Sequence, residues 1–155
     1  HFPDRSRCRC TDGQIPRYLQ KVSGPMLDRI DICVEAAPIT YGDIKSSGNN
    51  ESSREIRARV EQARKIQRER FAGENVRCNG EMSGRHIRKF CGLGREEEKF
   101  MEEIFEKLAL SARMHDRILK VARTTADLAE EEKIRLADLC EAVSYVKSRD
   151  KFWGN

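Results

Sequence analysis

Apolar and polar residues alternate with different periods in the first third of the chain and in the rest of it. Between residues 15 and 22 the apolar positions have the spacing of one helix face, and TDGQ before them has the form of a capping box, so we predict a short helix that SGP stops. Over residues 30–34 apolar residues occupy every second position, which predicts a half-buried strand. Residues 36–53 show no period and are rich in Gly, Ser and Asn, which is typical of a linker.

Amphipathic helices are predicted along the remainder of the chain. A long helix runs from about residue 53 to 71, a shorter one begins at Ser83, and three more follow. Their predicted core residues are Ile56, Val60, Ala63, Ile66 and Phe71, then Ile87, Phe90 and Cys91, then Phe100, Met101, Ile104, Phe105 and Leu108, then Met114, Ile118, Val121, Ala122, Thr125 and Leu128, and last Leu136, Leu139, Cys140, Val143 and Val146. Such faces close a small helical bundle over roughly residues 83–148.

Length and composition limit the class of protein. The 155 residues are 38% hydrophobic and 36% charged, which suits one or two small domains and excludes a large standalone enzyme. No apolar run is long enough to span a bilayer and no secretory leader is recognisable, so we expect a soluble cytoplasmic protein without a membrane partner. Because the first residue is His1 rather than Met, we also expect the chain to be a piece of a longer protein.

The net charge of +4 is unevenly distributed. Residues 1–71 hold 14 basic and 10 acidic side chains, whereas residues 72–155 hold 16 of each. A polyanion such as nucleic acid or a nucleotide phosphate would therefore meet the N-terminal half first, the alternative being an ordinary solvated face.

The six cysteines are dispersed, which favours reduced thiols over a disulfide framework. Cys33 and Cys140 lie in apolar patterns and are predicted to be small core residues. Cys8-Arg-Cys10 supplies at most two of the four ligands that a structural zinc requires.

No P-loop, GxGxxG, HExxH or GxSxG motif occurs in these residues, so we expect that this chain does not perform catalysis by itself. Ser111, His115 and Asp127 share one helix, but spacings of 4 and 12 residues do not form a catalytic relay, and we expect them at the surface.

Two arginines have settings suited to phosphate. Arg29 lies between Asp28 and Asp31 after a turn, where it can form a local ion pair or extend its planar guanidinium to a phosphate on a neighbouring subunit. Arg113 lies in the first turn of a helix that Ser111 caps, an environment that favours an anion. Further cations would extend this basic face, the default alternative for each being a solvated or ion-paired side chain, at Arg117, Lys120 and Arg123.

Five segments in register carry a family resemblance. The segments SGPMLDRIDICVE, REIRARVEQARKIQRERF, NGEMSGRHIRKFC, LSARMHDRILKVARTTADLA and YVKSRDKFW resemble the C-terminal portion of the magnesium-chelatase-like AAA+ ATPases, the ComM/YifB family. The resemblance implies a mainly α fold, with residues 1–35 as the end of the α/β AAA+ core (a short helix plus a strand), residues 36–53 as a linker and residues 54–155 as the helical lid. The P-loop and the Walker B acids would lie upstream, so this chain alone should be inactive.

The resemblance also implies roles for individual residues. Arg29 corresponds to the arginine finger that acts in trans on the neighbouring subunit's ATP, and Arg113 to the sensor 2 arginine, with Arg117 as a second candidate. Cys8 and Cys10 correspond to the later half of a four-cysteine zinc site whose first pair precedes this chain. The implied cofactors are ATP with Mg²⁺, and zinc in the longer parent.

Family members form homo-oligomeric rings, most often hexamers, which implies neighbouring copies as partners. Members like ComM resemble branch-migration helicases that act on DNA during natural transformation. The alternatives are the ATPase subunit of a chelatase that inserts Mg²⁺ into protoporphyrin, and a non-catalytic helical interaction module.

Overall fold

The computed structural model describes residues 8–27, 29–45 and 50–153, without the side chains of Asp43 and of residues 147–153. Regular structure in this part of the chain is helical, with no strand, which confirms a mainly α fold. The helices are α1 (Gln14–Leu19), α2 (Gly24–Leu27), α3 (Tyr41–Lys45), α4 (Ser53–Arg70), α5 (Gly84–Phe90), α6 (Arg95–Lys107), α7 (Ala112–Leu128) and α8 (Leu136–Trp153), with a 3₁₀ turn at Asn79–Glu81. No helix among the described residues is both long enough and apolar enough to cross a membrane.

The N-terminal third departs from its predicted organisation. The strand predicted over residues 30–34 is wrong, because these residues have no regular structure. A strand requires a neighbour for its backbone N–H and C=O groups, and the described residues contain no sheet to supply one. Helix α2 begins where SGP was expected only to stop the preceding helix, and α3 lies inside the predicted linker.

The helices after residue 53 agree with their periodicity. Helix α4 begins with a complete capping box, in which the Glu55 backbone N–H donates to Ser52 Oγ over 3.3 Å and the Ser52 N–H donates to Glu55 Oε2 over 2.8 Å. The Ser52 hydroxyl also donates to Glu55 Oε2 over 2.7 Å. This bond and the one from the Ser52 N–H lower the pKa of Glu55, because both favour its carboxylate. The box fixes where α4 starts after an irregular segment.

Chain contacts divide the protein into two compact units, one of residues 1–35 with 145–155 and the other of residues 36–144. In the second unit α7 is central, since α4, the 3₁₀ turn and α5 all contact it. Phe71 and Phe90 meet edge to face beside it with their centroids 5.3 Å apart. The most deeply buried apolar side chains of this unit are Met82, Ile118, Ala122, Ala126, Ile134, Leu139, Ala142 and Val143.

Some predicted core positions lie at the surface instead. Ile56 and Val60 in the first two turns of α4 are 43% and 44% exposed, so α4 packs only along its second half. The prediction for Cys140 was also wrong, because this side chain is exposed, whereas Cys91 is buried. Burial raises the pKa of the Cys91 thiol to about 11.

Candidate functional site

Arg113 lies in the first turn of α7 and is exposed. Ser111 caps this helix, and its side-chain oxygen accepts a hydrogen bond of 3.2 Å from the Met114 backbone N–H. The first turn contains no acidic residue. Within the described part of the chain the Arg113 guanidinium forms no ion pair. A cation and a helix N-terminus therefore face solvent together, which suits a phosphate.

Arg117, one turn further along α7, has a different environment. Its side chain is 7% exposed, and Nη1 lies 3.9 Å from the Met114 thioether sulfur. Arg113 and Arg117 are thus close in sequence but differ in accessibility. Of the two predicted lid contacts, Arg113 is the one that an incoming anion can reach without rearrangement of the helix.

Arg29 lies in a turn just after α2, and its side chain is exposed. Its backbone N–H donates to the Met26 carbonyl over 3.0 Å, which fixes the turn rather than the guanidinium. Asp28, one of the two aspartates that were weighed as ion-pair partners, lies outside the described residues. Arg29 forms no ion pair with any residue that the structure describes, so its guanidinium is available at the surface.

A buried polar cluster holds α4 against α7, and sequence reasoning missed it. Asp127 is fully buried, and both of its oxygens accept hydrogen bonds from the Arg70 guanidinium, one of them over 2.8 Å. Asn79 donates to the same carboxylate over 2.7 Å, and Arg123 Nε donates to it over 3.1 Å. Gln67 joins the cluster by accepting from the Asn79 N–H over 3.3 Å. The carboxylate is thus shared by two helices and the 3₁₀ turn.

The rest of the Arg123 guanidinium is satisfied by backbone oxygens beyond the end of α7. Nη1 and Nη2 donate to the carbonyls of Glu132 and Glu131 over 2.8 and 2.6 Å. Burial lowers the pKa of Arg123, while the Asp127 carboxylate opposes that effect. Each buried side-chain nitrogen and oxygen atom of the cluster has a hydrogen-bond partner, so the cluster satisfies the requirement that buried charges be paired.

This cluster corrects one prediction and decides between two others. Asp127 was expected at the surface and is fully buried. Arg123 is 2% exposed and paired with Asp127, so it follows the ion-paired alternative rather than the basic face. Lys120 also turns away from such a face, since its Nζ donates to the Gly80 carbonyl over 3.1 Å. The cationic face of α7 is therefore confined to its first turn. The sequence did indicate part of this cluster, because opposite charges four residues apart on a helix, as in Arg123 and Asp127, favour an ion pair.

A second cluster surrounds Glu74 after α4. Lys89 Nζ donates to Glu74 Oε1 over 2.6 Å and Arg85 Nη2 to Oε2 over 3.1 Å, while His86 Nε2 lies 3.5 Å from Oε2. The Lys89 hydrogen bond holds the pKa of Glu74 below its usual range. His86 Nδ1 accepts from the Ser83 N–H over 3.1 Å, which anchors the start of α5. These contacts bind α5 to the segment that follows α4.

No disulfide joins the six cysteines, and none of the described residues forms a cluster of three or more metal-ligating side chains. Cys8 is half-buried and Cys10 is exposed. Two sulfurs alone do not make a structural zinc site, so the described residues do not fit a zinc held by this chain by itself. The pairing of Cys8 and Cys10 with an upstream cysteine pair stays a prediction.

Two family models match the chain in sequence order. The model described as magnesium chelatase, subunit ChlI C-terminal, matches residues 50–146 and thus covers α4 to most of α8. The model described as magnesium chelatase, subunit ChlI, matches residues 2–44, the segment that contains Arg29. Arg113 lies within the first match.

Several bacterial proteins are similar along most of the chain. Competence protein ComM of Haemophilus influenzae is 39% identical over 138 residues, which are 88% of this chain and 26% of that protein. The protein YifB of Escherichia coli is 40% identical over 138 residues, with the same coverage. An uncharacterized protein of Mycobacterium tuberculosis is 32% identical over 142 residues, 92% of this chain and 28% of that protein. The chain thus spans about a quarter of the length of these curated relatives.

Proposed function

The chain belongs to the magnesium chelatase ChlI C-terminal family, and on that basis we propose that it is the lid-bearing end of a ring-forming AAA+ ATPase. In this proposal residues 1–35 end the ATPase core, residues 36–53 connect, and residues 54–155 form the lid. The observation that carries the proposal is the exposed Arg113 beside the N-terminus of α7, in a first turn without acidic residues. A polyphosphate is the ligand that this arrangement suits best.

Arg113 is proposed to contact the nucleotide from the lid, as sensor 2. Its guanidinium would donate to phosphate oxygens while the α7 N-terminus adds a positive partial charge. Arg117 remains the second candidate, and its burial against Met114 favours a supporting position over direct contact. Because the Asp127 cluster joins α7 to α4, a force on Arg113 would move the whole lid rather than one side chain. Nucleotide state would thereby set the lid angle.

Arg29 is proposed to act in trans, as the arginine finger for a neighbouring copy. Charge develops on the transferred phosphoryl group in the transition state, and a guanidinium delivered from outside stabilises it. The exposed side chain of Arg29 supports this role, because a finger must leave its own subunit. ATP with Mg²⁺ is the substrate of this reaction, and neither arginine provides a ligand for the metal.

The proposal is tested by ATP turnover of the intact protein that contains this chain. We expect Arg29→Ala to lower turnover by about 10³-fold or more while nucleotide binding persists. Arg113→Ala should weaken nucleotide binding and lower turnover. Size-exclusion chromatography of each variant checks that the ring still assembles. Arg95→Ala, an exposed arginine at the start of α6, serves as the matched control and should keep the wild-type rate.

Unchanged turnover in both variants would contradict the proposal and return Arg29 and Arg113 to ordinary surface arginines. If the longer parent protein also lacked a P-loop, that result would favour the alternative of a non-catalytic helical interaction module.

We propose DNA as the substrate on which the motor acts. The support is the similarity to a competence protein, together with the excess of positive charge in residues 1–71. Chelation is the second candidate, since the matching family model is described by a magnesium chelatase subunit. Forked DNA should stimulate ATP turnover if the motor remodels DNA. Stimulation by a porphyrin and its partner chelatase subunits, with no effect of DNA, would select chelation.

A further inference from the structure

The positive charge of the chain is concentrated on one helix. Helix α4 carries seven basic and three acidic residues, a difference equal to the net charge of +4 of the whole chain. Helix α6, of comparable exposure, carries six acidic and three basic residues. The two helices thus have charges of opposite sign, and α4 is the only described helix with so large a positive excess.

Five of the α4 cations lie on one side of the helix. At about 100° per residue they fall within a sector of roughly 100°, opposite to the buried Ala63 and Gln67. We call this surface the α4 cationic face, and its members are Arg54, Arg57, Arg64, Lys65 and Arg68. All five are exposed. Glu61 is the one acidic residue within the sector.

The cations of this face have no acidic partner in the part of the chain that the structure describes. None of the five forms an ion pair with a residue that the structure describes. The two remaining arginines of α4 lie outside the sector and are both paired, Arg59 with Glu51 and Arg70 with Asp127. The arginines of α4 that form ion pairs with described residues therefore lie outside the α4 cationic face, and the five cations of the face are available for an external ligand.

The α4 cationic face has the dimensions of a nucleic-acid contact. From Arg54 to Arg68 the helix advances about 20 Å, since each residue adds about 1.5 Å. One strand of duplex DNA passes about six phosphates over that distance. The sector contains no aromatic residue for base stacking and no Asn or Gln for pairing with adenine, so its main chemistry is positive charge for the phosphate backbone.

We propose that the α4 cationic face binds the phosphate backbone of DNA without sequence preference, an inference that rests on the proposed action of the motor on DNA. The competing occupant is α6 of a second copy. Helix α6 fits less well, because Arg95, Lys99 and Lys107 are interspersed among its glutamates and would face the α4 arginines. A phosphate backbone carries no such cations.

The test measures DNA binding of the chain by fluorescence anisotropy across a range of KCl concentrations. One variant combines Arg57→Gln, Arg64→Gln and Arg68→Gln, and the matched control combines Arg95→Gln, Lys99→Gln and Lys107→Gln on α6. Both remove three exposed positive charges, so any effect of net charge is equal. The probes are a labelled single strand and the corresponding duplex, both of mixed sequence.

We expect the α4 variant to bind duplex at least about tenfold more weakly at low salt and to lower the slope of log K against log [salt] by about 2–3. The control should stay within about twofold of wild type. A third variant with Arg57→Lys, Arg64→Lys and Arg68→Lys keeps the charge and should keep the wild-type slope. Circular dichroism melting curves should superimpose for the three variants, because all six positions are exposed.

Equal losses in the α4 variant and the α6 control would overturn the inference, as would wild-type binding in the α4 variant. Loss of self-association in the α4 variant, with unchanged DNA binding, would also overturn it and assign the face to a second copy. The proposed function fails separately, by ATP turnover that does not depend on Arg29 or Arg113. The two outcomes are therefore distinguishable, because they are measured on different variants and by different readouts.

Discussion

Asp127 connects three parts of the fold, since Arg70, Asn79 and Arg123 all donate to its carboxylate. Replacing it with alanine leaves two guanidinium groups, of which Arg123 is 2% exposed, without their shared anion. We expect Asp127→Ala to lower the free energy of unfolding by about 3–5 kcal/mol. Urea denaturation measures this change.

Asp116→Ala provides the matched control on the same helix. Its side chain is 45% exposed and lies beside His115, so the substitution should change stability by no more than about 0.5 kcal/mol. Equal effects of the two substitutions would show that the Asp127 cluster contributes nothing beyond a surface ion pair.

At the residue scale, the sequence predicted which side chains could pair better than it predicted which side chains are buried. The i, i+4 spacing of Arg123 and Asp127 was readable, but the Arg70 partner lies 57 residues away from Asp127 and enters only through the packing of α4 on α7. The same holds for Cys140 and Cys91, where an apolar sequence context was wrong for one thiol and right for the other. A side chain's exposure depends on which face of its helix other helices cover, and a single helix does not determine that.

At the scale of elements, the turn between α6 and α7 carries a residue in an unfavourable conformation. Ala109 has φ 45°, and the Leu110 N–H donates to the Phe105 carbonyl over 3.0 Å, as in a Schellman motif. Glycine adopts this conformation without the steric cost that a Cβ brings. We expect Ala109→Gly to raise the free energy of unfolding by about 0.5–1 kcal/mol.

The control for this prediction is the same substitution inside a helix. Ala58 is exposed in α4, where glycine should instead lower stability by about 1 kcal/mol. Thermal unfolding of both variants tests the sign, and a loss of stability in Ala109→Gly would contradict the role assigned to the turn.

The prediction of elements succeeded for helices that pack against other helices of the described residues. It failed for the strand, because the described residues contain no second strand to pair with it. The 3.6-residue period predicted α4 to α8, and Ser83 and Ser111 marked the starts of α5 and α7. The alternation over residues 30–34 predicted a strand that the described residues do not form. Period-2 patterning reports only which faces are apolar, whereas a strand also needs neighbouring backbone.

At the scale of the whole molecule, the arginines fall into two kinds that differ in burial and in pairing. Arg70 and Arg123 pair with the buried Asp127 and hold helices together, while Arg29, Arg113 and the α4 cationic face are exposed and are proposed to bind phosphates. The excess of positive charge in residues 1–71 was visible in the sequence. Which of these basic side chains are ion-paired and which are exposed without an ion pair became clear only from the helix geometry and the contacts of the described residues. The role of each available arginine rests on family membership as well as on its exposure.

Arg29 is proposed to complete an ATP site on another copy of the protein, and rings that mix two variants test this role directly. Arg29→Ala is combined with a second variant of the intact protein whose own nucleotide site is disabled upstream, each variant being inactive alone. In random rings the second variant lends its Arg29 to neighbours that still bind ATP, so turnover should return to roughly a quarter of the wild-type rate. A mixture as inactive as its components, with mixed rings demonstrated, would contradict the account.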